Sequence, residues 1–93
     1  MEALAQPDDQ EKVLRDAIAK DEKDLDNYYK LAQHLFDKNR GEEAINLLLD
    51  IITIDRNWNK NAAKDLLMEV FKKLGANNES VKKGKKRLAN IMF

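Results

Sequence analysis

Two adjacent stretches of this chain place apolar residues at helical spacing, and a short turn separates them. The first stretch carries Tyr28, Leu31, Ala32, Leu35 and Phe36. The second carries Ala44, Ile45, Leu48, Ile51 and Ile52. Because residues three and four positions apart share one face of an α-helix, each stretch predicts an amphipathic helix. The turn-forming residues Asn39-Arg40-Gly41 lie between them, so the two helices are expected to fold back on each other as a hairpin.

The first stretch is repeated later in the chain. A shift of 35 residues aligns it with a second apolar set, which comprises Ala63, Leu66, Leu67, Val70 and Phe71. No segment alternates apolar and polar residues with the period of a strand over a useful length. The sequence therefore predicts an all-α domain of five helices. The first begins at Asp8 or Asp9, a polar turn at 57–61 precedes the fourth, and the fifth begins near Glu79.

Further expectations concern single positions in these helices. Gly41 is predicted to end the second helix, and Gly84 in the fifth should cost about 1 kcal/mol relative to alanine. The buried face of the first helix is predicted to comprise Val13, Leu14, Ala17 and Ile18. Trp58 is expected to fill the space between the third and fourth helices.

The hairpin resembles a tetratricopeptide unit. The first helix of such a unit has an aromatic residue, then Leu and a small residue, and the second helix has Ala followed four positions later by a large apolar residue. In this chain the first helix matches with Tyr28, Leu31 and Ala32, and the second matches with Ala44 and Leu48. The 35-residue spacing is close to the tetratricopeptide period of about 34 residues. The resemblance implies a right-handed helical array whose role is to bind proteins, since such arrays are rarely catalysts. The first helix would be half of a truncated unit, and the fifth would cap the array.

A narrower resemblance covers roughly residues 10–93. The segments that carry it are Arg40-Gly41-Glu42-Glu43-Ala44, Asp55-Arg56-Asn57-Trp58-Asn59, Ala62-Ala63, Leu74-Gly75 and Leu88-Ala89-Asn90-Ile91-Met92-Phe93. They resemble the tetratricopeptide domain that follows a thioredoxin-like domain in bacterial co-chaperones of the chaperedoxin type. The resemblance implies a module that holds unfolding clients and passes them to a chaperone. The family usually has Tyr at the position of Gly84.

The predicted domain boundaries rest on the same resemblance. Residues 1–7 are interpreted as a linker or expression remnant, and residues 8–93 as one tetratricopeptide-like domain. No thioredoxin domain lies in this chain, so it is expected to be an excised domain or a protein that lacks one. The opening residues have neither the basic nor the long apolar stretch of a signal peptide.

Composition excludes several classes of site. There are no cysteines, which rules out disulfides and thiolate metal sites in this chain and suits the cytoplasm or another reducing compartment. No apolar run approaches the roughly 20 residues of a membrane span. His34 is the only histidine and is expected on the surface, because a metal site needs further ligands. Three isolated glycines make no phosphate-binding loop. We therefore predict no enzyme activity, metal or cofactor.

The net charge of zero hides an asymmetry. Residues 1–56 carry 14 acidic and 8 basic residues, a net charge of −6, whereas residues 57–93 carry 3 acidic and 9 basic residues, a net charge of +6. The basic end helix contributes Lys82, Lys83, Lys85, Lys86 and Arg87. These cations are expected to form a solvated face or end cap. An acidic protein surface is a second possibility for them and nucleic acid a third, since no aromatic residue is interleaved.

Protein binding is predicted on the inner face of the array. The groove-facing positions are expected to be Tyr29, Gln33 and Phe36 on the second helix and Lys64, Met68 and Phe71 on the fourth. Aromatic and methionine side chains suit contact with varied partners, although Phe36 and Phe71 would equally serve helix packing. Only Lys64 is cationic among the six, so a clamp for acidic chaperone tails is not expected. The alternative function is a structural domain that packs on a sister copy or on a thioredoxin domain.

Overall fold

The computed structural model describes residues 9–92, with side chains through residue 91, and shows five helices. They are α1 (Asp9–Lys20), α2 (Leu25–Asp37), α3 (Gly41–Ile54), α4 (Trp58–Leu74) and α5 (Glu79–Met92). No strand occurs in this part of the chain. The predicted all-α class and the five helices are confirmed. The proposed linker at residues 1–7 lies outside the described residues.

Helix α3 is the centre of the fold. It packs against α2, α4 and α5, whereas α1 packs mainly on α2. Its predicted apolar face is buried throughout, from Ala44 to Ile52. Leu31 and Leu35 of α2 and Leu67 of α4 are fully buried against the same core. The helices around α3 share one core with it. Each hairpin therefore buries its apolar face only by packing against its neighbour, as expected of stacked repeats.

The turn between α2 and α3 differs from the prediction. Helix α2 ends at Asp37, and Gly41 is the first residue of α3 rather than the end of α2. Asn39 takes the left-handed conformation in this turn, with φ of 64°, which asparagine tolerates better than most residues. Gly41 lies at a tight helix contact instead: a Cβ there would lie 3.2 Å from side-chain atoms of Val70 and Leu74.

The α3–α4 connection contains a left-handed turn. Asn59, Lys60 and Asn61 have φ of 48°, 55° and 70°, so the regular right-handed part of α4 begins at Ala62. This agrees with the polar turn predicted at 57–61. Trp58 in the turn is half-buried and packs against Tyr29 of α2, with ring centroids 5.4 Å apart. Its partner ring therefore belongs to α2, and the pair joins the two repeats.

The end helices are held in different ways. On α1, Leu14 is buried and Ile18 half-buried, but Val13 is 64% exposed, so its predicted place on the buried face is wrong. Helix α5 starts at a cap formed by Asn78, whose side-chain oxygen accepts hydrogen bonds from the backbone N–H groups of Ser80 and Val81. Arg87 also forms an ion pair with Asp50 of α3 at 3.0 Å.

Gly84 allows α5 to approach the core closely. It is buried, and a Cβ there would lie 2.9 Å from Cε1 of Phe71 and 3.0 Å from Cγ2 of Ile45. The expected gain from alanine at this helical position is therefore opposed by a clash in the folded state. The absent side chain lets α5 pack directly on side chains of α3 and α4.

Candidate functional site

Four of the six predicted inner-face residues line two depressions. Leu66, Glu69 and Lys73 recur at i, i+3 and i+7 on the side of α4 that faces α2. Met68, Phe71 and Gly75 recur at the same spacing on a different side. Gln33 and Phe36 line one depression, Met68 and Phe71 line the other, and Lys72 borders both. Tyr29 and Lys64 line neither depression.

The first depression lies between α2 and α4, and we call it the Phe36 depression. Its lining comprises Gln33, Phe36 and Asp37 of α2 and Leu66, Glu69, Lys72 and Lys73 of α4. Phe36 is half-buried, and the ammonium of Lys73 lies 5.3 Å from the centroid of its ring. This distance is within the range of a cation–π contact. The site thus combines a half-buried aromatic ring with charges of both signs.

Five residues of this site are absent from the predicted set: Asp37 of α2 and four residues of α4. Leu66, Glu69, Lys72 and Lys73 line it, although the predicted contacts on α4 were Lys64, Met68 and Phe71. The repeat in the sequence could have indicated the residues on α4. The 35-residue shift aligns Leu66 with Leu31, which faces the core. Residues that border this buried stripe lie at the seam between neighbouring helices.

The other predicted groove residues have packing partners or lie apart. Tyr29 is half-buried against Trp58, and Lys64 is half-buried on α4. Phe71 is 4% exposed and packs on Gly84, which matches the packing alternative for this residue. Met68 is 41% exposed and lies in the second depression, between α4 and α5.

The basic end helix divides its cations among three directions. Lys83 and Arg87 line a groove with Glu42 and Glu43 of α3. Lys85 faces α4 beside Met68. The remaining two, Lys82 and Lys86, are exposed and line none of these depressions. The helix is therefore a set of local charge environments rather than one basic stripe.

A buried ionic cluster fixes α1 to the start of α3. Glu11 is 2% exposed, and its carboxylate accepts hydrogen bonds from Arg40, including one of 3.2 Å from Nη2, and from Nε of Arg15 at 2.8 Å. Arg40 also donates to Glu43 at 2.6 and 2.9 Å. The hydrogen bond from Arg40 holds the pKa of Glu11 below its ordinary value, against the opposing effect of burial. Hydrogen bonds to Glu43 and Glu11 raise the pKa of Arg40.

Among residues 9–91, other titratable side chains differ in burial and in hydrogen-bond partners. The described residues contain no group of three or more His, Asp or Glu side chains placed to hold a metal ion. His34 is half-buried rather than on the open surface. Burial raises the pKa of Tyr28, whose hydroxyl donates to the backbone oxygen of Glu22 at 2.9 Å. Within residues 9–92, no helix has both the length and the apolar character of a membrane span.

Comparison with known families agrees with the fold. A family model described as tetratricopeptide repeat matches residues 4–93, which is nearly the whole chain. The chain belongs to the tetratricopeptide repeat family. A search of curated proteins gives no match. Tetratricopeptide domains generally serve protein–protein interaction and are typically not catalytic, and no enzyme family matches this one.

Proposed function

We propose that this tetratricopeptide domain is the client-binding module of a thioredoxin-like co-chaperone, and that it works in the cytoplasm or another reducing compartment. The observation that carries the proposal is the Phe36 depression, where an aromatic ring remains accessible between α2 and α4. The resemblance of residues 40–44 and 55–59 to such co-chaperones supports the same role. A chaperone is the alternative partner for this surface.

The chemistry of the Phe36 depression suits unfolded segments of varied sequence. The ring of Phe36 and the edge of Leu66 offer apolar contact to an exposed side chain. Around them, Asp37 and Glu69 are acidic and Lys72 and Lys73 are basic. Because both signs are present, flanking charges on a client are accepted whether they are positive or negative. A site of this kind favours broad and weak binding over recognition of one sequence.

The test is suppression of aggregation by a variant of Phe36. We expect the wild-type domain to reduce light scattering by heat-treated citrate synthase, and Phe36→Asp to lose most of this protection, because a carboxylate cannot make the apolar contact without desolvation. Ile54→Asp is the matched control, since Ile54 is 52% exposed and lines none of the depressions. Circular dichroism checks that both variants remain helical.

Two outcomes would remove the proposal. Equal protection by Phe36→Asp and the wild type would show that this depression does not contact the client. Equal loss by Phe36→Asp and Ile54→Asp would show that protection comes from general surface apolarity.

Self-association, or packing against a thioredoxin domain, is the second candidate function. The observation that favours it is Val13, which α1 leaves 64% exposed on the side away from the core. The opposite net charges of residues 1–56 and 57–93 would add attraction between copies, which salt screens. Sedimentation at low and high salt tests this candidate, and a monomer at all protein concentrations would remove the sister-copy form of it.

A further inference from the structure

The charges that line the Phe36 depression differ between its two sides. One side has no cation, and we call it the acidic half; its lining comprises Gln33, Phe36, Asp37, Leu66 and Glu69. On the other side, Lys72 and Lys73 join Phe36 and Glu69. The acidic half has a volume of about 320 Å³, at the lower end of the roughly 300–1,000 Å³ of ligand pockets. It therefore has room for one long side chain.

The acidic half presents two carboxylates that have no ionic partner. Asp37 at the end of α2 and Glu69 on α4 are exposed, and neither forms an ion pair within residues 9–91. Glu69 also borders Lys72 and Lys73, yet no ion pair joins it to either of them. Carboxylates from two different helices can therefore accept charge-assisted hydrogen bonds from one cation that enters this half.

The ring of Phe36 already lies against a cation. The ammonium of Lys73 is 5.3 Å from the ring centroid, and no carboxylate of residues 9–91 forms an ion pair with it. The ring is thus placed so that a positive charge can reach it. Because Lys73 is an exposed residue with a flexible side chain, a cation with better geometry can take its place on the ring.

We propose that the acidic half binds an arginine side chain of the bound segment, with the guanidinium stacked on Phe36 and hydrogen-bonded to Asp37 and Glu69. Lys73 leaves the ring when the arginine enters. The inference deepens the proposed function and rests on it for the source of the segment, which is an unfolded client. Only one side chain of the segment is selected, so segments of varied sequence still bind.

Arginine suits the acidic half better than lysine or an apolar residue. Its guanidinium is planar, stacks on aromatic rings and carries five N–H donors, whereas the ammonium of lysine is a compact point charge. The aliphatic part of arginine can cover Leu66 while its charged end stays in contact with water. A purely apolar side chain would remove water from the carboxylates without replacing the lost hydrogen bonds.

Fluorescence anisotropy with a labelled peptide tests the proposal. The probe is a fluorescein-labelled heptapeptide in the order Gly, Ser, Leu, Arg, Leu, Ser, Gly. The comparison peptide has citrulline in place of Arg, which keeps the shape of the side chain and removes its charge. We expect the wild-type domain to bind the arginine peptide about three- to tenfold more tightly, because the citrulline peptide lacks the cation–π contact and the charge-assisted hydrogen bonds.

Two variants change the affinity for the arginine peptide in opposite directions. Glu69→Gln should weaken binding by about three- to fivefold, since one carboxylate partner is lost. Lys73→Ala should strengthen binding by about two- to threefold, because it removes both the competing ammonium and a like charge beside the bound guanidinium. Asp37 is left unchanged, since it is the last residue of α2.

Each variant has a matched control at an exposed position that lines none of the depressions. Glu22→Gln makes the same change as Glu69→Gln, and Lys82→Ala makes the same change as Lys73→Ala. Both controls should change the affinity by less than about 1.5-fold, because their charges are farther from the bound segment. Circular dichroism checks that all four variants remain helical.

Four results would overturn the arginine site. They are no binding by the wild type, equal affinity for the arginine and citrulline peptides, equal effects of Glu69→Gln and Glu22→Gln, and weaker binding by Lys73→Ala. Sedimentation that shows dimers of the wild type but not of Glu69→Gln would assign the depression to a second copy of the chain instead.

The peptide assay and the client assay can fail separately. A domain that protects citrate synthase but does not distinguish arginine from citrulline would retain the proposed function and lose the arginine site. A domain that prefers the arginine peptide but gives no protection would lose the co-chaperone role, and the arginine site would then serve a different protein partner.

Discussion

Glu11 keeps its charge in the protein interior because guanidinium groups reach it from two directions. Arg15 lies one helical turn away, and Arg40 approaches from the turn between α2 and α3. An acidic residue is rarely buried to this extent without such partners. Removal of one arginine leaves the buried carboxylate with a single guanidinium partner, so the cluster makes the position of α1 sensitive to single changes.

The pH dependence of stability should report this cluster. The folded-state pKa of Glu11 lies below its ordinary value of 4.5, so its contribution is present above about pH 4.5 and is lost as pH falls through the folded-state pKa. We expect Glu11→Gln to lower the free energy of unfolding at pH 7 by about 1–3 kcal/mol, since charged hydrogen bonds are lost. Urea unfolding of both proteins at neutral and acidic pH measures the stability lost in Glu11→Gln and the way this loss depends on pH.

The control for Glu11 is Asp16→Asn, an exposed carboxylate on the same helix. Asp16→Asn should leave the pH profile close to that of the wild type. A stability difference between Glu11→Gln and the wild type that stays constant down to strongly acidic pH would contradict the role assigned to the ionised carboxylate.

Lys60 occupies the least suitable backbone conformation for its side chain. Its φ of 55° lies in the left-handed region, which asparagine tolerates at Asn59 and Asn61 but lysine does not favour. Lys60→Gly should raise the free energy of unfolding by about 0.5–1 kcal/mol, because relief of strain exceeds the entropy that glycine adds to the unfolded chain. Lys60→Ala keeps the Cβ and should give no such gain. Chemical denaturation of the three proteins is the measurement, and equal stability of all three would contradict the strain.

At the scale of helices, Gly84 sets how closely α5 approaches α3 and α4. Helix propensity alone predicts that Gly84→Ala stabilises the domain by about 1 kcal/mol. The close contacts with Phe71 and Ile45 predict the opposite, since overpacking typically costs about 1–3 kcal/mol. We expect the clash to dominate and the variant to melt at a lower temperature than the wild type.

The double variant Gly84→Ala with Phe71→Leu separates the two effects. The smaller side chain at position 71 removes the ring that the new methyl group would meet, so the penalty of alanine should shrink in this background. Comparison with Phe71→Leu alone gives the coupling energy. A stabilised Gly84→Ala single variant would show that α5 shifts outward without cost.

Helix positions were predictable from the sequence because the apolar spacing is strong from Tyr28 to Phe71. The contacts of the helices were less predictable. Val13 has the spacing of a buried residue but is 64% exposed. Gly41 follows the pattern of a helix end, yet it lies at a close contact between α3 and α4. The side of α4 that faces α2 depends on how two hairpins stack, which local spacing does not determine. For this reason Met68 was predicted in a shared groove and lies in a separate depression.

At the scale of the molecule, the domain is a thin layer. Its Cα atoms span 44 × 32 × 17 Å, so few residues are far from either broad face. Many side chains are therefore accessible for binding in a small chain. The same shape limits the volume of the hydrophobic core, as expected for a domain of this size.

The charge asymmetry predicts how the whole molecule responds to salt. Copies should attract more strongly at low salt, because charges farther apart than about 10 Å are screened at about 0.1 M salt. We expect the sedimentation coefficient at high protein concentration to fall as salt is added. Val13→Lys should reduce association at every salt concentration, whereas Ala19→Lys, at another exposed position of α1, should have a smaller effect. A sedimentation coefficient independent of salt would contradict electrostatic association.

The contact between Tyr29 and Trp58 has a practical consequence. Trp58 is the only tryptophan, and its neighbour belongs to the other repeat. The fluorescence emission maximum of Trp58 therefore reports whether the two repeats are docked, without any added label. If the repeats separate before their helices melt, the emission changes at a lower denaturant concentration than the helical circular dichroism. A single cooperative loss of both signals would mean that two repeats of this size behave as one folding unit.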